Sequence, residues 1–147
     1  MSGPTPGNYR LQNYQSKWTL TTKTSEGGVS QPGDVVKTEK GADRAFPEES
    51  KLIVSVGVGG QYSFRNLNTK MYIGSGTDKN GNPAAVWTTS AQFWDVDPIG
   101  PGYWAISMPG AANSFWYDST VGGNPWTEVL LQENKSLVQY YWYFVAA

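Results

Sequence analysis

Few residues of this chain are suited to catalysis. The 147-residue sequence contains no histidine and no cysteine, so it lacks the commonest general base, the usual zinc ligands and a thiolate nucleophile. A pair of carboxylates could still act as acid and base, and Asp95 and Asp97 would share one face of an extended strand. Pro98 and Gly100 follow at once and are typical of a turn, so we interpret the pair as solvated charges at a strand end. We expect no enzymatic activity, no cofactor and no metal ion.

Two loops have only a superficial likeness to ion-binding sites. The stretch 78–82 is rich in the oxygen ligands that calcium prefers, but it has one carboxylate, an adjacent lysine and an Asn-Gly pair typical of a hairpin turn. The stretch 57–60 lacks the lysine and the following helix of a phosphate-binding loop. We interpret both stretches as turns.

Sugar binding matches the residue types better. A pyranose packs its C–H face on an aromatic ring, and its hydroxyls need fixed acceptors and amide donors in place of water. The chain has seven Trp, nine Tyr and five Phe residues, and several of them stand near Asp, Asn or Gln. These neighbourhoods are the candidate sites, and the elements that would position them follow from composition and repetition.

The composition indicates an all-β protein. Its aromatic residues, 17 glycines and nine prolines suit pleated strands joined by tight turns. A net charge of −1 gives no general attraction to nucleic acid or to anionic membranes, and no run of about 18 apolar residues could insert into a bilayer. The absence of cysteine and of an N-terminal apolar stretch of the signal-peptide type predicts a cytoplasmic protein.

The sequence repeats itself three times. GNYRLQN begins at Gly7, GQYSFRN at Gly60 and GYWAISM at Gly102, each with a turn glycine followed by alternating apolar and polar residues. We therefore divide one domain, 1–147, into repeats at about 7–59, 60–101 and 102–147. Each repeat also has three further apolar stretches. They lie at 17–20, 34–38 and 51–56, at 71–73, 84–89 and 92–96, and at 114–117, 126–131 and 140–145. The pattern predicts twelve short strands.

The last strands of the second and third repeats carry a related motif. Gln92-Phe93-Trp94 has the spacing Gln-x-Trp, Gln139 stands three residues before Trp142, and the first repeat has lost the motif. In these features the chain resembles the ricin-B-like lectins, including those of mushrooms. The resemblance implies a β-trefoil fold with these tryptophans in the core, and a carbohydrate-binding function. An antiparallel barrel or sandwich with accidental repetition is the alternative.

The resemblance also implies where sugar would bind. In the third repeat it assigns Asp118, Asn134 and Gln139 to the polar positions of the family's site. The position of the family's aromatic platform holds Gln132, so the aromatic ring would come from Trp126 or a neighbouring loop. This repeat fits the family's pattern best.

The other two repeats match the pattern less well. In the second, Trp87 falls at the platform position and Gln92 is present, but Gly74 replaces the aspartate. In the first, Leu20 and Lys40 occupy polar positions of the site, so we predict that this repeat does not bind sugar. All these residues have a structural alternative, in which the polar ones bond to turn backbones and the tryptophans fill the core.

Two functions compete. The first is a defence-related lectin for galactose- or N-acetylgalactosamine-type glycans, with glycoproteins as partners and a homodimer as a possible multivalent form. The second follows from a resemblance to fungal β-trefoil protease inhibitors, the mycocypins, which open with a stretch similar to Gly7–Leu11. Such an inhibitor would act through a surface loop, and the long segment Thr22–Pro47 could provide it.

Overall fold

Twelve β-strands form the framework of the part of the chain that the structure describes. The computed structural model describes residues 3–111, 114–119, 126–133 and 138–147. The strands are β1 Gly7–Asn13, β2 Thr19–Thr21, β3 Lys37–Glu39, β4 Leu52–Val56, β5 Tyr62–Asn66, β6 Tyr72–Thr77, β7 Pro83–Thr88, β8 Asp95–Gly100, β9 Tyr103–Ser107, β10 Phe115–Asp118, β11 Trp126–Gln132 and β12 Tyr141–Ala146. A short helix α1, Ala42–Ala45, precedes β4, and a 3₁₀ turn, Val138–Tyr140, precedes β12. The predicted all-β class and twelve strands are confirmed. In the part of the chain that the structure describes, no helix has the length and apolar character needed to cross a membrane.

Six of the strands close into a ring of antiparallel pairs. β1 pairs with β4 and β12, β4 pairs with β5, and β9 pairs with β8 and β12. The ring closes between β5 and β8, where the main chains of Tyr62 and Trp94 exchange two hydrogen bonds of 2.8 Å. Closure leaves no long unpaired edge in this layer.

The remaining six strands form three hairpins, β2–β3, β6–β7 and β10–β11. The hairpins contact one another through β3 and β11, through β11 and β7, and through a bridge between Val35 and Val86. The N–H of Val129 donates to the carbonyl of Val36 at 2.9 Å, and the N–H of Val36 donates to the carbonyl of Ala85 at 2.8 Å. Successive hairpins are therefore joined in the same way.

Tryptophans from two repeats fill the centre of the core. The ring of Trp116 lies 5.3 Å from that of Trp94 and 6.1 Å from that of Trp142, edge to face in both cases. The indole N–H of Trp94 donates to the carbonyl of Ile73 at 2.9 Å, and that of Trp142 donates to the carbonyl of Trp116 at 3.2 Å. The expectation that Trp94 and Trp142 belong to the core is confirmed. Leu52, at the start of β4, is buried in the same cluster.

The turn after β1 is repeated after β5. In each, the side-chain oxygen of an asparagine, Asn13 or Asn66, accepts two main-chain N–H bonds of 2.9 to 3.1 Å. In each, a lysine four residues later, Lys17 or Lys70, has a φ of 66°. This left-handed conformation is unusual for a lysine and is held by the bonds of the turn. The third repeat has Met108-Pro109-Gly110 after β9 and a different set of bonds.

Strand β8 runs further than predicted. The expectation that Pro98 and Gly100 form a turn is wrong, because both lie in β8 and face β9, with a register shift between them. Proline is tolerated where such an irregularity interrupts the ladder. Asp95 and Asp97 both lie on this strand, and the pKa of Asp97 is raised, mainly by burial and then by the nearby charge of Asp95.

The segment Thr22–Pro47 is largely folded against the rest of the protein. It contains the bridge between Lys23 and Val29, strand β3 and helix α1, and Val36 within it is fully buried. Its continuously exposed parts are the short stretches 25–28, 31–34 and 43–45. Its proposed role as an inhibitory loop stays a prediction.

Candidate functional site

The pairing within the hairpins shows which positions correspond. One facing pair of each hairpin is directed inward and buried: Leu20 with Thr38, Ile73 with Trp87, and Trp116 with Leu131. Because neighbouring residues of a strand face opposite sides, the next residue of each strand faces away from the core. These outward positions are Thr21, Gly74 and Tyr117 on the first strands, and Glu39, Thr88 and Gln132 on the second strands.

Asp118 lies on the inward side, one residue beyond the outward position. It is 1% exposed, and its carboxylate accepts hydrogen bonds from the hydroxyl of Ser16 at 2.8 Å, from that of Thr38 at 3.3 Å and from that of Thr127. The hydroxyls of Thr38 and Thr127 are also 2.7 Å apart. The structure therefore places Asp118 within a buried network that joins β10 to β3, β11 and the turn after β1.

The second repeat brings Gln92 to the predicted place but not Trp87. Trp87 is fully buried, and the outward position beside it holds Thr88. The side-chain oxygen of Gln92 accepts bonds from the N–H and the hydroxyl of Ser75 at 2.9 and 3.1 Å. A Cβ at Gly74 would lie 2.8 Å from a methyl carbon of Thr88 and 3.1 Å from the Gln92 oxygen, so only glycine fits there without a shift. The predicted platform residue, Trp87, is therefore absent from this face.

The third repeat places its predicted residues in different surroundings. Gln132 is exposed at the end of β11, and Gln139 is half-buried in the 3₁₀ turn, while Asn134 lies outside the described residues. The rings of Tyr117 and Tyr140 lie 4.8 Å apart. Burial, more than any neighbouring charge, raises the pKa of Tyr140. The sequence pattern places both tyrosines in predicted strands and gives neither of them a role in a binding site.

Trp126 belongs to a half-exposed group that we name the Trp126 patch, formed by Lys23, Glu39, Phe46 and Trp126. The rings of Trp126 and Phe46 are stacked, with centroids 6.0 Å apart and planes inclined by 26°. The ammonium of Lys23 lies 5.7 Å from the centre of the Phe46 ring. Glu39 faces Trp126 across the β3–β11 pair and accepts a 2.7 Å bond from the N–H of Gly41. The patch thus combines an aromatic surface, a carboxylate and an ammonium group.

Phe46 had no counterpart among the predicted residues. It follows α1 directly and precedes Pro47, in a segment that the sequence pattern describes only as a long connection. Its aromatic character was the one available signal. The stacking partner on β11 could be found only from the pairing of β3 with β11, because the two residues lie 80 positions apart (126 − 46 = 80).

A second aromatic group, the tyrosine cluster, is formed by Tyr14, Tyr103, Tyr141 and Tyr143. All four side chains are half-buried, and their ring centroids lie 4.5 to 6.3 Å from one another in the five pairs in contact. The ammonium of Lys17 lies 4.6 Å from the centre of the Tyr14 ring and 5.0 Å from that of Tyr143. The pKa of Tyr103 is raised, first by burial and then by Tyr14 and Tyr143.

The loop considered for calcium is a hairpin turn. The carboxylate of Asp78 accepts bonds from the N–H groups of Asn80 and Asn82 at 2.9 and 2.8 Å, and Gly81 has a φ of 83°. The main-chain bond from Asn82 is the largest influence and lowers the pKa of Asp78. The turn interpretation is confirmed. Among the described residues, no group of three or more His, Cys, Asp or Glu side chains could hold a metal ion.

Comparison with known proteins shows similarity in structure rather than in sequence. No protein-family model matches the chain, and no curated protein matches it. The agglutinin of Rhizoctonia solani is 19% identical with a TM-score of 0.79, over 99% of this chain and 98% of the other. The Macrolepiota procera ricin B-like lectin, solved in complex with lactose, is 13% identical with a TM-score of 0.77, over the full length of both chains.

A similar fold also occurs within an enzyme. The exo-β-1,3-galactanase 1,3Gal43A from Clostridium thermocellum is 14% identical with a TM-score of 0.74, over 98% of this chain but only 31% of the galactanase. At these identities the comparisons show a shared fold alone. The expected resemblance to ricin-B-like β-trefoil lectins is confirmed.

Proposed function

We propose that this protein is a β-trefoil lectin with a single domain, 1–147, made of three repeats at about 7–59, 60–101 and 102–147. A closed ring of six strands and three hairpins joined in the same way support the trefoil assignment. The structural likeness to an agglutinin and to a ricin B-like lectin extends over nearly the whole chain. Because one fold hosts many functions, the binding site has to be argued from its own residues.

The Trp126 patch is the observation that carries the proposal. Its stacked Trp126 and Phe46 rings offer a half-exposed apolar surface to the C–H face of a sugar. Glu39 and Lys23 lie beside the rings as an acceptor and a donor for hydroxyl groups. The family pattern would assign Asp118 to the site as an acceptor. Because its carboxylate is buried among hydroxyl groups, we assign that role to Glu39 instead.

We propose a galactose- or N-acetylgalactosamine-type glycan as the ligand. The support is the ricin B-like lectin solved with lactose, a disaccharide that contains galactose. As the sequence analysis predicts, we further propose a non-enzymatic, cytoplasmic defence protein that recognises glycoproteins and has no nucleic-acid partner. A homodimer would make binding multivalent, and linking two weak sites raises avidity by orders of magnitude.

Retention on a lactose resin tests the proposal. We expect the protein to be retained, and Trp126→Ala and Phe46→Ala to weaken binding by about tenfold, taking as a guide the stacking of a nucleic-acid base on one aromatic ring, which contributes on the order of 1–3 kcal/mol. Phe93→Ala removes an aromatic ring that is 41% exposed on another face and is the matched control, for which retention should not change.

The proposal fails if the folded protein binds neither lactose nor any galactoside on a glycan array. Titration of papain and trypsin, run in parallel, examines the competing function. Loss of protease activity at micromolar protein, without glycan binding, would favour an inhibitor acting through the exposed stretches 25–28 or 31–34.

A further inference from the structure

The fold does not require the tyrosine cluster. The N–H of Tyr14 donates to the carbonyl of Tyr141 at 2.8 Å, and in the repeated turn the N–H of Leu67 donates to the carbonyl of Lys51 at 2.9 Å. Tyr14 therefore corresponds to Leu67, and Tyr141 corresponds to Lys51. The same turn forms with an aliphatic and a charged residue at the two positions.

The other two tyrosines also have non-aromatic counterparts. Tyr143 corresponds to Ile53, because each lies opposite the residue that precedes the asparagine of its turn. Tyr103 corresponds to Asn8, because Tyr103 faces Tyr143 as Asn8 faces Ile53. At all four positions the equivalent turn is built without tyrosine. The tyrosines are thus an addition to the fold, and they leave four aromatic side chains partly open to solvent.

The position of the Lys17 ammonium is likewise set by the turn and not by the rings. Its Nζ donates to the carbonyl of Tyr14, and the Nζ of Lys70 donates to the corresponding carbonyl of Leu67 at 2.9 Å, where no tyrosine is present in the turn. Beside the cluster, the turn holds a cation over two phenol rings.

The charge at the cluster restricts its ligand. Within the described part of the chain, Lys17 forms no ion pair with a carboxylate. The salt bridge in that part of the chain joins Lys51 to Glu48. A lysine ammonium has three donors, one of which the turn uses. A cationic ligand would be repelled from rings that Lys17 already covers, whereas an anionic group could accept the remaining N–H bonds.

We propose that the tyrosine cluster is a second carbohydrate site, which takes a pyranose bearing a carboxylate or a sulfate. The C–H face of the sugar packs on the phenol rings, the phenolic hydroxyls bond to sugar hydroxyls, and Lys17 binds the anionic group. Ring centroids within 6.3 Å of one another make a surface the size of one or two sugars. A surface of that size is small beside the roughly 800 Å² that a stable protein interface needs on each partner, so it suits a sugar better than a protein. The cluster lies on β9, β12 and the turn after β1, apart from the elements of the Trp126 patch, so this site goes beyond the proposed function.

Methyl β-glucuronide and methyl β-glucoside form the matched pair of probes, because they differ in a carboxylate and contain no galactose that the Trp126 patch would recognise. Binding is measured by ligand-observed NMR titration of the full chain, with glucose 6-sulfate to separate carboxylate from sulfate recognition. We expect the anionic probes to bind at least about tenfold more tightly than the glucoside and to weaken as salt is added, since each extra charge-assisted bond has roughly that effect.

Variants that copy the repeated turn give the controls. Tyr143→Ile and Tyr14→Leu introduce the residues that the fold already accepts at Ile53 and Leu67, so they should fold and lose the binding. Lys17→Asn, with a residue that tolerates positive φ, should reduce glucuronide binding about tenfold, and the matched Lys70→Asn should leave it unchanged.

Equal binding of glucuronide and glucoside, or binding unaffected by Tyr143→Ile and Lys17→Asn, would overturn the proposal. So would self-association that Tyr143→Ile abolishes in a protein that binds none of the three probes, because the cluster would then be a protein interface. Lactose retention by each variant is measured alongside. Lactose retention that is lost in Trp126→Ala and kept in Tyr143→Ile shows that the two sites are independent. A failure of the tyrosine cluster to bind its probes can then be told apart from a failure of the Trp126 patch to bind lactose.

Discussion

At the scale of single residues, Asp118 shows how far one position of register changes the role of a side chain. Its neighbour Tyr117 faces outward from the β10–β11 hairpin, whereas Asp118 faces inward beside Thr38 and Thr127. The aspartate that the sequence pattern assigns to a sugar site is therefore held in a network of three hydroxyl groups. Its main effect should be on stability.

We expect Asp118→Ala to lower the free energy of unfolding by about 2–4 kcal/mol, because the half-buried hydroxyl of Ser16 and the buried hydroxyls of Thr38 and Thr127 would lose an acceptor. Urea unfolding followed by tryptophan fluorescence measures the change. Asp43→Ala, on the exposed surface of α1, is the control and should stay within about 0.5 kcal/mol of the parent protein. A variant that keeps its stability but loses lactose binding would restore Asp118 to the sugar site.

At the scale of elements, the two copies of the turn after β1 and β5 explain why similar short motifs recur. Asn13 and Asn66 are both fully buried. The amide N–H of Asn13 donates to the carbonyl of Gln139 at 3.0 Å, and that of Asn66 donates to the carbonyl of Glu49 at 2.9 Å. Each of these carbonyls precedes the closing strand of a neighbouring unit. One amide side chain thus accepts from two N–H groups of the bend and also ties the turn to a neighbouring unit.

Replacing either asparagine should have the same effect. We predict that Asn13→Ala and Asn66→Ala each destabilise the protein by about 2–3 kcal/mol, since each leaves two partly buried N–H groups without their acceptor and removes the amide bond to the neighbouring unit. Asn68→Ala, an exposed position of the second turn, is the control. Thermal unfolding compares the three, and a loss below about 0.5 kcal/mol in both variants would contradict the role given to these side chains.

The elements themselves were largely predictable from local pattern. Alternating residues and turn glycines located twelve strands, with most ends within a few positions of those observed. Strand β8 was misplaced because Pro98 and Gly100 are typical of turns, and only the pairing with β9 shows that the chain continues through them as an irregular strand.

At the scale of the whole molecule, two buried phenols, Tyr62 and Tyr140, and the half-buried phenol of Tyr103 make stability depend on alkaline pH. The pKa values of Tyr62, Tyr103 and Tyr140 are raised, in each case mainly by burial. Raised values mean that the folded state holds the phenol protons more tightly than the unfolded chain. Their contribution is complete below the ordinary tyrosine pKa of about 10 and is lost as the pH rises through the folded values.

We therefore expect the midpoint of thermal unfolding to fall as the pH increases from about 10. Absorbance at 295 nm should show some tyrosines of the folded protein ionising at higher pH than those of the chain unfolded in guanidinium chloride. Tyr62→Phe, which also removes the 2.7 Å bond to the carbonyl of Pro4, should make the midpoint less sensitive to pH. Identical titration of folded and unfolded protein would contradict the prediction.

The sequence by itself determined the all-β class, the number of strands and the place of Trp94 and Trp142 in the core. The class and the number of strands depend on alternation, turn residues and apolar content, which act over a few neighbouring positions, while the place of the two tryptophans was implied by the family resemblance of their motif. The tertiary structure alone decided which face of a strand is covered, and so buried Trp87 and Asp118 and left Thr88 and Tyr117 outside.

Only the tertiary structure brings together the members of the Trp126 patch and of the tyrosine cluster. Phe46 meets Trp126 because β3 pairs with β11, and Tyr14 meets Tyr143 because β1 pairs with β12. These residues are distant in the chain, and their spacing carries no periodic signal. Strand pairing is a long-range choice governed by burial over the whole core, so the surfaces proposed to bind sugars could not be read from local sequence.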